Sequence, residues 1–405
     1  MQPVKTSTRR PDVDWLRVLL FGGLIAYHIG LLYAPWSPYA LKSAQTWSWV
    51  EGVLLGTHPW RMLMLFFISG VACRFALDKL GPPRLLASRS QQLLPPLVFG
   101  VLLLVPIQTY LWSVETLGYQ KHYGAFLVDV LSGGYQKVLV NGRLVKLNLY
   151  AHLWFILYLW AYVTVLVGAL VAAPRWLPWL QARLERVLHG PGLLLWPIAV
   201  LIALRFSLYP QFGMTLEIFN DWYNHALSFG VFLVGFVIAR SERVWAGFAA
   251  LRWPALALAL AAWGGYAMMW AGVGIPETVE KANPWMHPLY SVEQWSAIVA
   301  VLGFAHRWLR HDSPPAAVRY LNGGIFTYYV IHQPALLIML HFLKPLGLHG
   351  AVEAACVFLG TAAICAFAYE GAKNLGWFGA LVGARPARAK PRPAPGAALA
   401  ARPAS

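Results

Sequence analysis

Long apolar runs broken by short polar connections dominate the chain from residue 14 onward. Ten runs of about 17 to 23 residues can be marked, each long enough to cross a bilayer core as a helix. They are 14–33, 60–79, 93–112, 152–172, 193–209, 224–240, 252–271, 290–308, 321–343 and 350–370. The fifth and sixth are joined by RFSLYPQFGMTLEIFNDWYNH, which is polar and aromatic and no plain loop. The pattern predicts an all-α, polytopic integral membrane bundle of about ten transmembrane helices, without a soluble domain or an internal repeat. The longest connection, 113–151, contains FLVDVLSGGYQKVLV, and periodicity leaves a short helix and a hairpin on the membrane surface equally open.

Charge gives the bundle a direction. Lys and Arg gather in alternate connections: Lys5, Arg9, Arg10 and Arg17, then Arg74, Lys79, Arg84 and Arg89, then Arg175, Arg183 and Arg186. Arg240, Arg243 and Arg252 follow on that side, then Arg307, Arg310 and Arg319, and finally the tail. The opposite connections carry fewer, among them Lys42, Arg61, Lys121, Lys146, Lys281 and Lys344. The positive-inside bias therefore places both termini in the cytoplasm, which an even number of spans requires. Segment 381–405 is a low-complexity Pro/Ala/Arg tail, expected to be disordered and to rest on anionic lipid, and 1–380 is the single transmembrane domain.

Composition agrees. The 405 residues are 59% hydrophobic and 12% charged, where soluble domains carry about a quarter charged residues. The net charge of +16 sits in loops between spans, so it reads as membrane orientation and no nucleic-acid partner is expected. The first run lacks a small-residue cleavage pattern and is expected to stay as a working helix. Cys73, Cys356 and Cys365 all lie in apolar runs without metal-ligand spacing, and read as small packed hydrophobes. No phosphate-binding loop, dinucleotide fingerprint, CxxC or HExxH occurs, so neither a metal nor a permanently bound cofactor is expected.

The chemistry lies in polar residues at membrane depth, where ionisable groups are costly and mark a pathway, a partner or a reaction. In the first span, Arg17 and His28 are eleven residues apart, so they share a helix face about 16 Å apart along the axis. Asp14, three residues before Arg17, is placed to pair with it. Two readings stay open: a cationic mouth leading to a deep titratable base, or a positive-inside anchor and a histidine that bonds a neighbouring helix. His152, His332 and Gln333 are further polar groups at depth, with Trp154 as an interfacial aromatic near His152. Glu293 and Glu370 fall near opposite faces, Ser69 reads as packing beside Gly70, and His58 and His287 read as solvated boundary residues.

In order along nearly the whole chain, DVDWLRVLLFGGLIAYH, PWRMLMLFFISGVACRFAL, HLWFILYLW, NGGIFTYYVIHQP and AYEGAKN resemble membrane-bound acyltransferase family 3. The likeness is strongest to the branch that includes glucans biosynthesis protein C, a glucan succinyltransferase. The family's Arg-x10-His motif falls on Arg17 and His28. The resemblance implies a multi-pass enzyme of the bacterial inner membrane, with a cytoplasmic acyl-CoA as co-substrate. It implies acetyl or succinyl transfer to a hydroxyl of a carbohydrate or glucan. Under it, His28 with Asp14 is catalytic, as base or acyl relay, and Arg17, Arg89 and Arg84 bind the donor. The acceptor-side candidates are His332, Gln333, His152, Trp154, Arg61 and Glu293. The family's Arg-x-x-Arg pair after the second span is incomplete here, because Arg89 is followed by Gln92. A transporter using the same intramembrane residues is the alternative function, and a non-catalytic membrane partner a third.

Overall fold

The computed structural model describes residues 10–35, 39–133, 137–147, 149–270, 283–310 and 313–384. The tail from 385 onward, with Lys5, Arg9 and Lys281, lies outside the described residues. Helices occupy all ten expected positions. They begin with α1 (Pro11–Tyr33), a short α2 (Ser48–Leu55), α3 (His58–Leu80), α4 (Pro82–Phe99) and α5 (Val105–Leu117). Between α4 and α5 runs a π-helical stretch, Gly100–Leu104. Pro106 has no N–H to return to the preceding turn, which accounts for the widened backbone there.

The 113–151 connection holds both of the elements that periodicity left open. It forms a helix, α6 (Tyr123–Ser132), and then a hairpin of β1 (Lys137–Val140) antiparallel to β2 (Arg143–Lys146). Asn141 and Gly142 both have positive φ, 49° and 78°, as a two-residue turn with the twist of its strands requires. Tyr119, Phe126, Val130, Val138 and Val140 give this cap a small core of its own.

The remaining helices are α7 (Trp154–Ala172), α8 (Trp176–Val187), α9 (Gly192–Ser207), α10 (Tyr209–Phe212), α11 (Trp222–Ile238), α12 (Glu242–Trp270), α13 (Met286–Trp308), α14 (Ala316–Leu343) and α15 (Gly350–Asn374). Among the described residues, seven helices are long and apolar enough to cross a membrane, or eight when the bent pair α8–α9 is one span. That is fewer than the ten expected, for two physical reasons. The apolar helix α11 has only 17 residues, and α13 carries buried Glu293, Gln294 and His306. Helix α8, which occupies a connection between two expected spans, turns 107° from α9 and has exposed Trp179 beside Arg183 and Arg186, as an interfacial helix does.

Two features fix the packing around the site. The α3–α11 crossing brings backbone onto backbone: a Cβ on Gly70 would lie 2.0 Å from the Phe232 carbonyl oxygen, and one on Gly235 would lie 2.2 Å from that of Phe67. Small residues permit such approach where lipid supplies no hydrophobic drive between helices. The second feature is a pair of side-chain bonds between α1 and α14. Asn322 Nδ2 donates to Asp14 Oδ1 at 2.8 Å near one end, and the rings of His28 and His332 meet near the other. Tyr320 on α14 donates to Glu370 at the end of α15, and Gly383 packs on Phe326. Both described ends of the chain therefore meet at one face, here the proximal face, and the hairpin caps the distal one.

Replacement of Gly70 by Ala, at a contact that cannot yield without moving a backbone, is expected to destabilise by about 1–3 kcal/mol. Thermal unfolding in detergent should show a lowered midpoint, and an unchanged midpoint would contradict the crossing.

Candidate active site

Three histidines converge in the distal half: His28 on α1, His332 on α14 and His152 in the 3-10 turn Ala151–Leu153 that leads into α7. His332 Nδ1 lies 2.7 Å from the Tyr329 carbonyl and 3.2 Å from that of Tyr328. A carbonyl only accepts, so Nδ1 carries the proton and Nε2 of the neutral ring is an acceptor. That Nε2 lies 3.1 Å from His28 Nδ1, which must then donate. The network so assigns His28 the tautomer whose Nε2 carries a lone pair. His152 has the opposite tautomer: its Nε2 donates to the Val330 carbonyl at 3.0 Å, and its Nδ1 accepts from Gln108 Nε2 at 3.1 Å. Gln333 Nε2 donates to Gln108 Oε1 at 2.8 Å and closes the network.

His28 stands where two cavities meet. An inner pocket of about 170 Å³ is lined by His28, His152, Trp154, Arg61, Tyr290 and Tyr329, among others. A distal cleft of about 450 Å³ has His28, His152, Trp154 and Leu216 in common with it, and adds Gln333, Gln108, Tyr39 and Lys146. Arg61 is buried, its guanidinium carbon 3.4 Å from the centre of the Tyr27 ring. Its Nε has no hydrogen-bond partner among the described residues, and NH1 makes one long bond of 3.5 Å to Thr57. A buried guanidinium in this setting is a preformed site for negative charge.

A third cavity, of about 280 Å³, opens at the proximal face and is lined by Arg17, Arg89, Gln92 and Arg319. Asp14 lies 3.9 Å from Arg17 but does not line it, so three cationic side chains face the space with no carboxylate among the lining residues. Arg89 NH1 donates to Gln92 Oε1 at 2.9 Å, the two being one helical turn apart. Rings separate this cavity from the inner pocket. Phe21 and Phe155 line the arginine side, Tyr329 lines the histidine side, and the Tyr329 ring lies 5.7 and 5.9 Å from the other two. The Tyr329 hydroxyl donates to the His152 carbonyl, which holds the partition in place.

Most residues singled out in the sequence thus fall into two places. Arg17 and Arg89 come together; His28, His332, His152, Gln333, Trp154 and Arg61 come together. Three do not. Asp14, expected to act with His28, sits at the other end of α1, where it bonds Asn322 and lies 3.9 Å from Arg17. Arg84 is exposed, because five residues of helix rotate it about 140° away from Arg89. Glu293 is buried in an apolar crevice beside Thr57, Trp60 and Trp263, away from the histidines. His58 is more than a solvated boundary residue, since its Nδ1 lies 2.9 Å from the Tyr27 hydroxyl, and partly buried His287 bonds Arg205. Sequence reasoning missed Arg319, Gln108 and Leu216, which lines both inner pocket and distal cleft. Arg319, counted only as a loop charge, lies one turn before Asn322 as Arg17 lies one turn after Asp14, so the Asp14–Asn322 bond brings both arginines to one cavity.

A family model described as an acyltransferase domain matches residues 10–370. The chain belongs to acyltransferase family 3. No curated protein and no solved structure matches it. The acyltransferase domain contains every residue of the inner pocket and the distal cleft, and all of the arginine cavity except Gly383. Its membership makes the chain an acyl-transferring enzyme, and its apolar helices make that enzyme a multi-pass membrane protein.

The tautomers are open to direct measurement. Nitrogen NMR of histidine-labelled protein at neutral pH should give Nδ1-protonated signals for His28 and His332 and an Nε2-protonated signal for His152. An Nε2-protonated His28 would remove the free lone pair.

Proposed function

We propose that this acyltransferase takes an acyl group, acetyl or succinyl, from a cytoplasmic acyl-CoA and passes it to a hydroxyl of a carbohydrate acceptor of the glucan type at the far side. In this reading the chain crosses the bacterial inner membrane ten times with both termini in the cytoplasm, and the proximal face is the cytoplasmic one. The observation that carries it is the placement of His28. Its ring faces both inner pocket and distal cleft, its Nδ1 is engaged by His332, and the arginine cavity lies at the other end of the same helix face.

Arg17, Arg89 and Arg319 hold the phosphates of the donor, a task for which guanidinium forks suit anionic oxygens. The pantetheine arm reaches along α1 past Phe21, Phe155 and Tyr329, over the roughly 16 Å that separates Arg17 from His28 along the axis. At the histidines, His28 Nε2 removes the proton of the acceptor hydroxyl as its oxygen attacks the thioester carbonyl. His332 Nε2, accepting from His28 Nδ1, stabilises the imidazolium and fixes the ring, as the third member of a nucleophile–base–orienter set does. Arg61 faces the oxyanion of the tetrahedral intermediate. The C–S bond then breaks, and the proton on His28 passes to the departing thiolate, leaving an ester and free coenzyme A. Gln108, Gln333 and His152 position the cluster without taking the proton.

Two measurements test this. With purified protein in nanodiscs and labelled acetyl- or succinyl-CoA, His28→Ala should lower transfer about 10²- to 10⁴-fold while leaving donor binding in place. Transfer at the wild-type rate would defeat the base. For the donor site, Arg319→Ala and Arg89→Ala should each weaken coenzyme A binding about tenfold or more, the loss of a charge-assisted bond. Arg84→Ala should leave it within about twofold, and calorimetry in detergent distinguishes the two.

A further inference from the structure

Residues 213–221, between α10 and α11, form a strap across the distal opening. It begins at Gly213, with φ +60°, and contains Leu216, one of three non-glycine residues with positive φ among the described residues, at +56°. A leucine in that conformation is strained and persists only where its surroundings over-determine it. Here Asp221 does so. Its carboxylate, fully buried, accepts from the amides of Thr215 at 3.0 Å and Leu216 at 3.1 Å, and from Tyr158 and Asn224 at 2.8 Å each. His225 Nε2 adds a bond of 2.7 Å to the Ile218 carbonyl. The strap is bolted to α7 and α11 and is no free loop.

Leu216 lines three spaces in series: the inner pocket, the distal cleft, and an outer groove of about 600 Å³ between the strap and the hairpin. The groove differs in character from the inner pocket. Lys137, Lys146, Glu217 and Asn220 supply donors and acceptors, with Tyr150 and Phe219 as aromatic surface, and Phe219 is 84% exposed. Lys146 also lines the cleft and pairs with Glu217 across the gap at 3.3 Å. A hydroxyl-rich chain with flat apolar ring faces matches such a lining, because polar rims fix its hydroxyls and aromatic rings take its C–H faces.

We propose that the outer groove binds the oligosaccharide arm of the acceptor and that Leu216, locked by Asp221, determines how large a sugar unit passes from the groove to His28. This rests on the acyl-transfer reading above. Leu216 is a specificity-determining side chain, and Asp221 is the positioning residue that holds it. Among the described residues, strap and hairpin are bonded to each other through the side chains of Lys146 and Glu217, so side-chain size bears on the width of the passage.

The test uses full-length protein in nanodiscs and gluco-oligosaccharides from glucose to the hexaose. Leu216→Ala should raise transfer to the hexaose relative to glucose at least fivefold, Leu216→Trp should lower it as much, and KM for the donor should stay within twofold. A ratio that neither variant moves overturns the proposal. Leu216→Cys gives a readout without catalysis, with the wild-type chain and its three cysteines as the blank: the hexaose should protect the new thiol from an impermeant maleimide. Protection without transfer in the wild-type protein would sink the acyl-transfer reading and keep the groove. Transfer without protection would do the reverse.

Discussion

The α1–α14 seam is the constraint on which the site depends. A bond at each end, Asp14 to Asn322 and His28 to His332, holds two helices that begin at the same face in fixed register. Everything chemical follows from that register. Arg17 and Arg319 flank the first bond and enter one cavity, while the second bond sets the tautomer of His28 and the direction of its lone pair. Packing alone would not do this, because helix–helix contact in lipid is driven by close fit and not by apolar burial, and close fit tolerates sliding more readily than two polar bonds do.

These polar groups are not present for stability. A charged side chain at mid-membrane costs about 2.5–3.5 kcal/mol on insertion scales, and an interhelical hydrogen bond returns on average about 0.6 kcal/mol. Among the described residues, Arg61 meets Thr57 at 3.5 Å and the Tyr27 side chain, contacts that at best offset that cost. Gln333 keeps one buried oxygen without a partner among the described residues. A bundle selected for stability alone would have apolar residues at these positions. Their retention within a few ångströms of one another, next to two connected cavities, is what a reaction site requires.

Much of this was legible in the sequence, and the reasons differ by feature. Apolar runs fall on helix at all ten positions, because period and length act locally, while seven or eight of the described helices are long and apolar enough to cross a membrane. The eleven-residue interval put Arg17 and His28 on one face for the same reason. Arg84, which only the resemblance joined to the donor site, is exposed, because a five-residue interval turns it away from Arg89. Arg319, Gln108 and Leu216 were invisible for another reason: each joins the site through a partner more than a hundred residues or a cavity away, and no local period encodes that. Glu293 had the composition of a site residue and the surroundings of a separate crevice. In the 113–151 segment, helix and hairpin signals were both present because both elements are there.

The aromatic partition gives the two cavities their meaning. If the arginine cavity and the histidine pocket were one open channel, the bundle would leak ions, and water would reach a bound thioester from both sides. Phe21, Phe155 and Tyr329 stand in ring contact between the two cavities, and Tyr329 is itself tied to the His152 carbonyl. The ring that separates the cavities therefore also bears on the base: the Tyr329 carbonyl accepts from His332, which accepts from His28. Any slender arm passing Tyr329 would press on the residue whose backbone orients the catalytic pair. In the proposed reaction, the same residue would then bear both on the path of the donor arm and on the bonds that orient His28.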